Sequence, residues 1–101
     1  MPRDQVYSIA QLRSLFLPTF QEYGVKKAVL FGSYANGTAT ARSDIDLFVD
    51  SGLRGLRFFG FAGMLADAAN KNVDVIDVAH INSGSRVDQE IARTGVVLYE
   101  Q

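Results

Sequence analysis

The sequence predicts a small α/β (α+β) fold, and three observations carry that prediction. Apolar runs at 27–31, 45–49 and 73–78 have the length of strands and are rich in β-branched or aromatic side chains. Two longer segments repeat apolar residues every three or four positions, as amphipathic helices do. Glycine, serine and asparagine punctuate the intervals. With 101 residues, 48% of them apolar, the chain is expected to form one domain, 1–101, that buries roughly two-thirds of its unfolded surface and leaves no room for a second.

Ser8 is a helix N-cap, and Ile9, Leu12, Leu15, Phe16, Phe20 and Tyr23 then form one apolar stripe, closed by Gly24 and bent at Pro18. Lys27 to Phe31 reads as a buried first strand that stops at Gly32. A short helix is expected to start at Ser33 to Ala35, before the polar loops Asn36-Gly37-Thr38 and Thr40-Ala41-Arg42-Ser43. Ile45 to Val49 is a second strand, ended by Ser51-Gly52. The helix that follows, from about Leu56 to Asn70, carries Phe58, Phe61, Leu65 and Ala69 on one face, with Gly60 and Gly63 weakening its middle. Asn70-Lys71-Asn72 turns the chain into a third strand, Val73 to Val78. Ser83 or Ser85 would cap a last helix reaching Arg93, and Val96 to Tyr99 forms a terminal strand.

Composition excludes several classes of function. Without cysteine there is no disulfide framework, thiolate zinc site or cysteine nucleophile. Ten basic against eleven acidic residues argue against a domain made mainly to coat nucleic acid. The N-terminus lacks the apolar stretch of a signal peptide, and no run approaches the roughly 20 residues that cross a bilayer, so a cytoplasmic protein with no membrane partner is expected.

The chemistry concentrates in acids. Asp44 and Asp46 are two apart at a strand, so both side chains leave one face about 7 Å apart at their Cα atoms. Their repulsion is about 2 kcal/mol at an effective dielectric near 20, and a bound dication removes it. Oxygen ligands without histidine or cysteine nearby suit Mg²⁺ or Mn²⁺. In the preceding loop, Gly32-Ser33 combines close backbone approach with a hydroxyl, a pairing that can hold the terminal phosphates of a triphosphate. Asp74 is the third acid on a separate strand, sharing a face with Ile76 and Val78, whereas Asp77 faces the other way with Val73 and Val75. Only one of the two can join the pair; Asp74, nearer its strand's start and flanked by β-branched residues, is expected to do so, and Asp77 to be an exposed or strand-end acid.

Gly32-Ser33-Tyr34-Ala35-Asn36-Gly37, Ser43-Asp44-Ile45-Asp46-Leu47-Phe48-Val49 and Val73-Asp74-Val75 together resemble the DNA polymerase β-like nucleotidyltransferases, most closely the minimal nucleotidyltransferase (MNT) family. The resemblance covers essentially the whole chain, to Gly95-Val96-Val97-Leu98-Tyr99-Glu100. It implies a small mixed β-sheet flanked by helices. It also implies transfer of a nucleoside monophosphate, usually AMP, from ATP or another nucleoside triphosphate by a two-metal mechanism. Gly32 and Ser33 would contact the phosphates, Asp44 and Asp46 would bind both Mg²⁺ ions, and Asp74 would serve the ion on the nucleophile side. Many relatives carry a basic residue where this chain has Asn36, and Arg42 in the same loop would replace it. Small members of the family act as antitoxins that adenylylate a helical HEPN-type toxin, which agrees with a chain too short to supply its own acceptor domain.

The alternative is a catalytically silent antitoxin that neutralises its partner by contact. A phosphatase is disfavoured because its acids follow an apolar strand, and a sugar transferase because it needs a longer chain. His80, Lys26 and Lys27 read as solvated residues, and Phe58, Phe59 and Phe61 as packing groups. Phe59 and Tyr34, if both exposed, would form a partner-binding surface. Self-association is left open.

Overall fold

The computed structural model describes residues 6–80, 89, 91 and 93–101. Ser8 begins helix α1 (Ile9–Glu22) with a capping box: the Gln11 N–H donates to Ser8 Oγ at 3.1 Å, and the Ser8 N–H donates to Gln11 Oε1 at 2.8 Å. The helix runs on through Pro18, which lies on its exposed side. Strand β1 (Lys27–Phe31) leads into a single helical turn, α2 (Ser33–Asn36), and then to strand β2 (Ile45–Asp50). Helix α3 (Gly55–Ala69) is continuous despite Gly60 and Gly63, both of which face outward. Strand β3 (Val73–Asp77), a 3₁₀ turn (Val78–His80) and strand β4 (Val96–Glu100) follow. Gln89, Ile91, Arg93 and Thr94 are helical, while Ser83 and Ser85, the expected caps of that last helix, lie outside the described residues.

The sheet has the order β3-β2-β1-β4 and is mixed, as the resemblance implies. Antiparallel pairing joins β1 to β2 and to β4, whereas β2 and β3 run parallel. Parallel neighbours need a crossover, and α3 provides it. Burial alternates along β2, with Ile45, Leu47 and Val49 inside and Asp46, Phe48 and Asp50 half-buried on the reverse face. Those inward side chains, with Ala28 and Leu30 of β1, pack under Leu12, Phe16 and Phe20 of α1 and Phe61, Leu65 and Ala69 of α3. Each fully buried Leu or Phe contributes about 1.5–3 kcal/mol of apolar transfer free energy.

Two polar devices hold the margins. Opposite Ala28 and Val29 the β4 register slips, so that Tyr99 and Val97 are paired and Leu98 is the extra residue. Arg13 of α1 satisfies carbonyls at this bulge, donating from Nη2 to Val97 O at 2.9 Å and from Nε to Leu98 O at 3.2 Å. At the end of β3, Asp77 is a strand-end acid, but a buried one at 3% exposure. Its carboxylate accepts from Ser51 Oγ, from the Ser51 N–H at 3.2 Å and from the Ala79 N–H at 3.1 Å.

Tyr34 and Phe59 do not form one surface. Tyr34 is buried in the main core, whereas Phe59 is 71% exposed on α3. The apolar ring of Tyr34 follows the inward side of α2, which two residues of glycine-serine sequence could not foretell.

Candidate active site

Gly32 stands at the end of β1 with φ 74° and ψ −152°, a backbone region open to glycine and costly for any other residue. That conformation turns the chain sharply into α2, where Gly32 O accepts the N–H groups of Ala35 at 3.1 Å and Asn36 at 3.2 Å. It also brings the backbone against β2. A Cβ placed on Gly32 would collide with Asp46 Oδ2 and lie 3.3 Å from Asp46 Cγ. The glycine therefore makes the space in which the Asp46 carboxylate rests, and Ser33, half-buried, is the next residue along.

Register does the rest. Asp46 is paired with Phe31 on one side and with Asp74 on the other. Neighbouring residues of a parallel ladder project to the same face, about 4.8 Å apart across the strands. Asp46 and Asp74 thus share a face, and Asp77, paired with Val49, belongs to the opposite one. Asp74 is exposed on β3, an edge strand of the sheet. Asp44 is exposed and precedes the β2 ladder, which begins at Ile45. Among the described residues no three acidic or histidine side chains are already closed about one point. Sheet pairing brings Asp46 and Asp74 together, whereas Asp44 stands just outside the ladder, in the loop before β2.

That loop is tied internally. The Thr40 N–H donates to Ser43 Oγ at 2.8 Å, the Ser43 N–H to Thr40 O at 3.0 Å and the Arg42 N–H to Thr40 Oγ1 at 3.3 Å. Arg42 itself is exposed and lines a cleft of about 360 Å³ with Ser43 and Asp44 on one side and Asp67, Asn70, Lys71 and Asn72 on the other. Asn36 is spent on its own turn, its Oδ1 accepting from Thr38 N at 3.2 Å and Thr38 Oγ1 at 2.6 Å.

The residues that the sequence marks as solvated lie elsewhere. His80 is exposed beyond the far end of β3 and stacks edge-on against Phe58 at 5.3 Å. Lys27 stands at the start of β1, exposed, with its Nζ 3.8 Å from Glu100. Sequence reasoning gives Lys71 no role beyond its turn, although its Nζ reaches Ala41 O at 2.8 Å. A lysine in the tight turn just before the third acid is the available signal.

The donor set suits a hard dication: carboxylate oxygens alone, two of them in register and one cradled where a glycine replaces a side chain. Comparison with known proteins identifies the family to which this fold belongs. The profile of a family described as polymerase beta, nucleotidyltransferase matches residues 17–101. The protein adenylyltransferase MntA of Aphanizomenon flos-aquae is 33% identical over 112 residues, an alignment covering 98% of this chain and 73% of that protein. The crystal structure of a toxin-antitoxin with AMP-PNP superposes with a TM-score of 0.75 at 25% identity, over 88% of this chain and 73% of the other. The MNT antitoxin in complex with tri-AMPylated Shewanella oneidensis HEPN toxin shares the fold, with a TM-score of 0.70 at 21% identity over 92% of this chain and 73% of that one. The matched family model spans most of the chain, and the chain belongs to the polymerase β nucleotidyltransferase family.

Proposed function

We propose that this chain is a Mg²⁺-dependent protein adenylyltransferase, the antitoxin of a pair, that moves AMP from ATP to a hydroxyl of a HEPN-type toxin. The observation that carries the reading is the Asp46–Asp74 register pair lying against the Gly32 turn. Two like charges on neighbouring strands repel, and a fold that retains them beside the open backbone of Gly32 favours a cationic ligand. The relatives support the acceptor: one is a protein adenylyltransferase, and another is seen with an AMPylated toxin.

In this reading Asp44, Asp46 and Asp74 hold two Mg²⁺ ions, with Mn²⁺ able to replace them. When bound, the ions neutralise the triphosphate and acidify the acceptor hydroxyl. Gly32 lets the phosphates approach the backbone, the Ser33 hydroxyl and the Arg42 guanidinium bind their oxygens, and Asp74 faces the incoming hydroxyl. The acceptor oxygen forms a bond to the α-phosphorus as the bond to pyrophosphate breaks; pyrophosphate departs, and the hydroxyl proton passes to solvent water. Exposure of Asp74 on an edge strand allows a macromolecular acceptor to reach it. Among the described residues no helix is long and apolar enough to cross a membrane, in keeping with a cytoplasmic partner.

The test is to incubate the protein with α-labelled ATP, Mg²⁺ and a HEPN-type toxin. Label on the toxin with wild type, and none with Asp44→Asn plus Asp46→Asn, is expected. Toxin neutralisation by the double variant with no transfer by wild type would instead establish an antitoxin that acts by contact alone.

A further inference from the structure

We infer that Lys71 is a positioning residue that sets the height of Asp44 relative to Asp74; the inference rests on the proposed metal-dependent reading. The turn Asn70–Asn72 is held from the α3 side. Asn70 adopts the left-handed conformation, φ 53°, that closes the helix, and the Lys71 N–H returns to Ala66 O at 3.4 Å. From this fixed turn two bonds cross to the segment that carries Asp44. Lys71 Nζ donates to Ala41 O at 2.8 Å, and Asn72 O accepts the Ile45 N–H at 3.1 Å.

These two bonds bracket Asp44, one three residues before it and the other one residue after. Because residues 40–43 are bonded to one another, a hold on the Ala41 carbonyl is a hold on the whole turn. Asp74 follows two residues after Asn72, on the strand into which the turn leads. One turn therefore governs both the loop acid and the strand acid. Asp46 needs no such device, since the β2 ladder places it.

A lysine suits this task for two reasons. Its long stem spans the cleft between α3 and the loop, and it is half-buried there. Its ammonium also puts a positive charge in the cleft that Asp44 lines, partly offsetting the acids before a dication arrives. Partners that orient ligands in this way typically change metal affinity by about 10–100-fold when removed.

The test measures Mn²⁺ bound by the full chain, without nucleotide, from the loss of the free-ion electron paramagnetic resonance signal. Lys71→Met is expected to weaken Mn²⁺ binding about tenfold, while Lys71→Arg, which keeps donors and charge, stays within about threefold of wild type. Circular dichroism melts in the absence of metal show whether each variant is folded. If Lys71→Met is not folded, Lys71→Arg decides: a loss of affinity beyond about tenfold in the arginine variant counts against the inference. Wild-type affinity in folded Lys71→Met, with affinity lost in Asp46→Asn, would overturn the role of Lys71 and leave the proposed function intact. Unchanged affinity in Asp46→Asn would overturn both.

Discussion

Asp46 and Asp74 stand directly opposite one another across the parallel β2–β3 ladder, and the Gly32 backbone presses against the first of them. The relationship depends on three features far apart in sequence. Alternation along β2 sends Asp46 away from the helices, the α3 crossover makes β3 parallel, and a glycine-only bend at the end of β1 clears the space. Each can be perturbed separately.

Gly32→Ala is the sharpest steric perturbation. The new methyl meets the Asp46 carboxylate in a backbone conformation that alanine avoids. Destabilisation of about 1–3 kcal/mol is expected from the backbone, together with a fall in AMP transfer of about a hundredfold, a shift of roughly an ångström at a reacting centre being enough. Gly24→Ala is the control: its φ is also positive at 67°, but nothing lies within 4 Å of the added Cβ. It should lose stability by about 1 kcal/mol and keep its transfer rate per folded molecule. Urea unfolding and label transfer, measured on both, separate strain from displacement of the carboxylate.

Asp74 and Asp77 offer a second contrast on one strand. Asp77→Ala leaves the Ser51 hydroxyl, the Ser51 N–H and the Ala79 N–H without their acceptor, and should destabilise the protein by about 2–4 kcal/mol. Activity per folded molecule should survive. Asp74→Asn, at an exposed position, takes one charge from the repelling pair and should hold or raise stability without metal, while reducing transfer by about a thousandfold, some 4 kcal/mol of transition-state stabilisation. Thermal melts and initial rates for the two variants should therefore rank them in opposite orders.

Much of this arrangement is legible in the sequence because it is encoded locally. The apolar run of β1 has the same bounds in sequence and structure, and those of α3 and β3 agree within a residue or so, since period and punctuation report directly on element type. The face of Asp74 follows from the two-residue strand period. What local pattern does not encode is which strands pair. The Asp46–Asp74 register, the β4 bulge answered by Arg13 and the Lys71 bond to Ala41 all join segments distant along the chain. Asp77 illustrates the limit: its place at a strand end is readable, but its burial depends on Ser51, a residue of another strand's exit.

Tyr34 makes a prediction about pH. Among the described residues its enclosed hydroxyl makes no hydrogen bond of ordinary geometry, and burial raises its pKa above the ordinary 10.0, an effect that the nearby Tyr7 backbone partly opposes. A folded-state pKa above the unfolded one means that the native protein retains a proton the unfolded chain gives up. This contribution to stability is complete below pH 10 and is lost as pH rises through the folded pKa. Tyr34→Phe removes both the enclosed hydroxyl and its titration. At neutral pH the variant should equal or exceed wild type by up to about 1 kcal/mol, and above pH 10 it should lose less stability than wild type does. Chemical denaturation at pH 7 and above pH 10 checks both statements.

An anomalous difference map from crystals grown with Mn²⁺ and AMP-PNP would locate the ions and the triphosphate themselves. Mn²⁺ peaks bridged by the carboxylates of Asp44 and Asp46, one of them also reached by Asp74, are expected, with the triphosphate along the Gly32-Ser33 turn. Nucleotide bound elsewhere, or Mn²⁺ held without Asp46 and Asp74, would refute the three-carboxylate site.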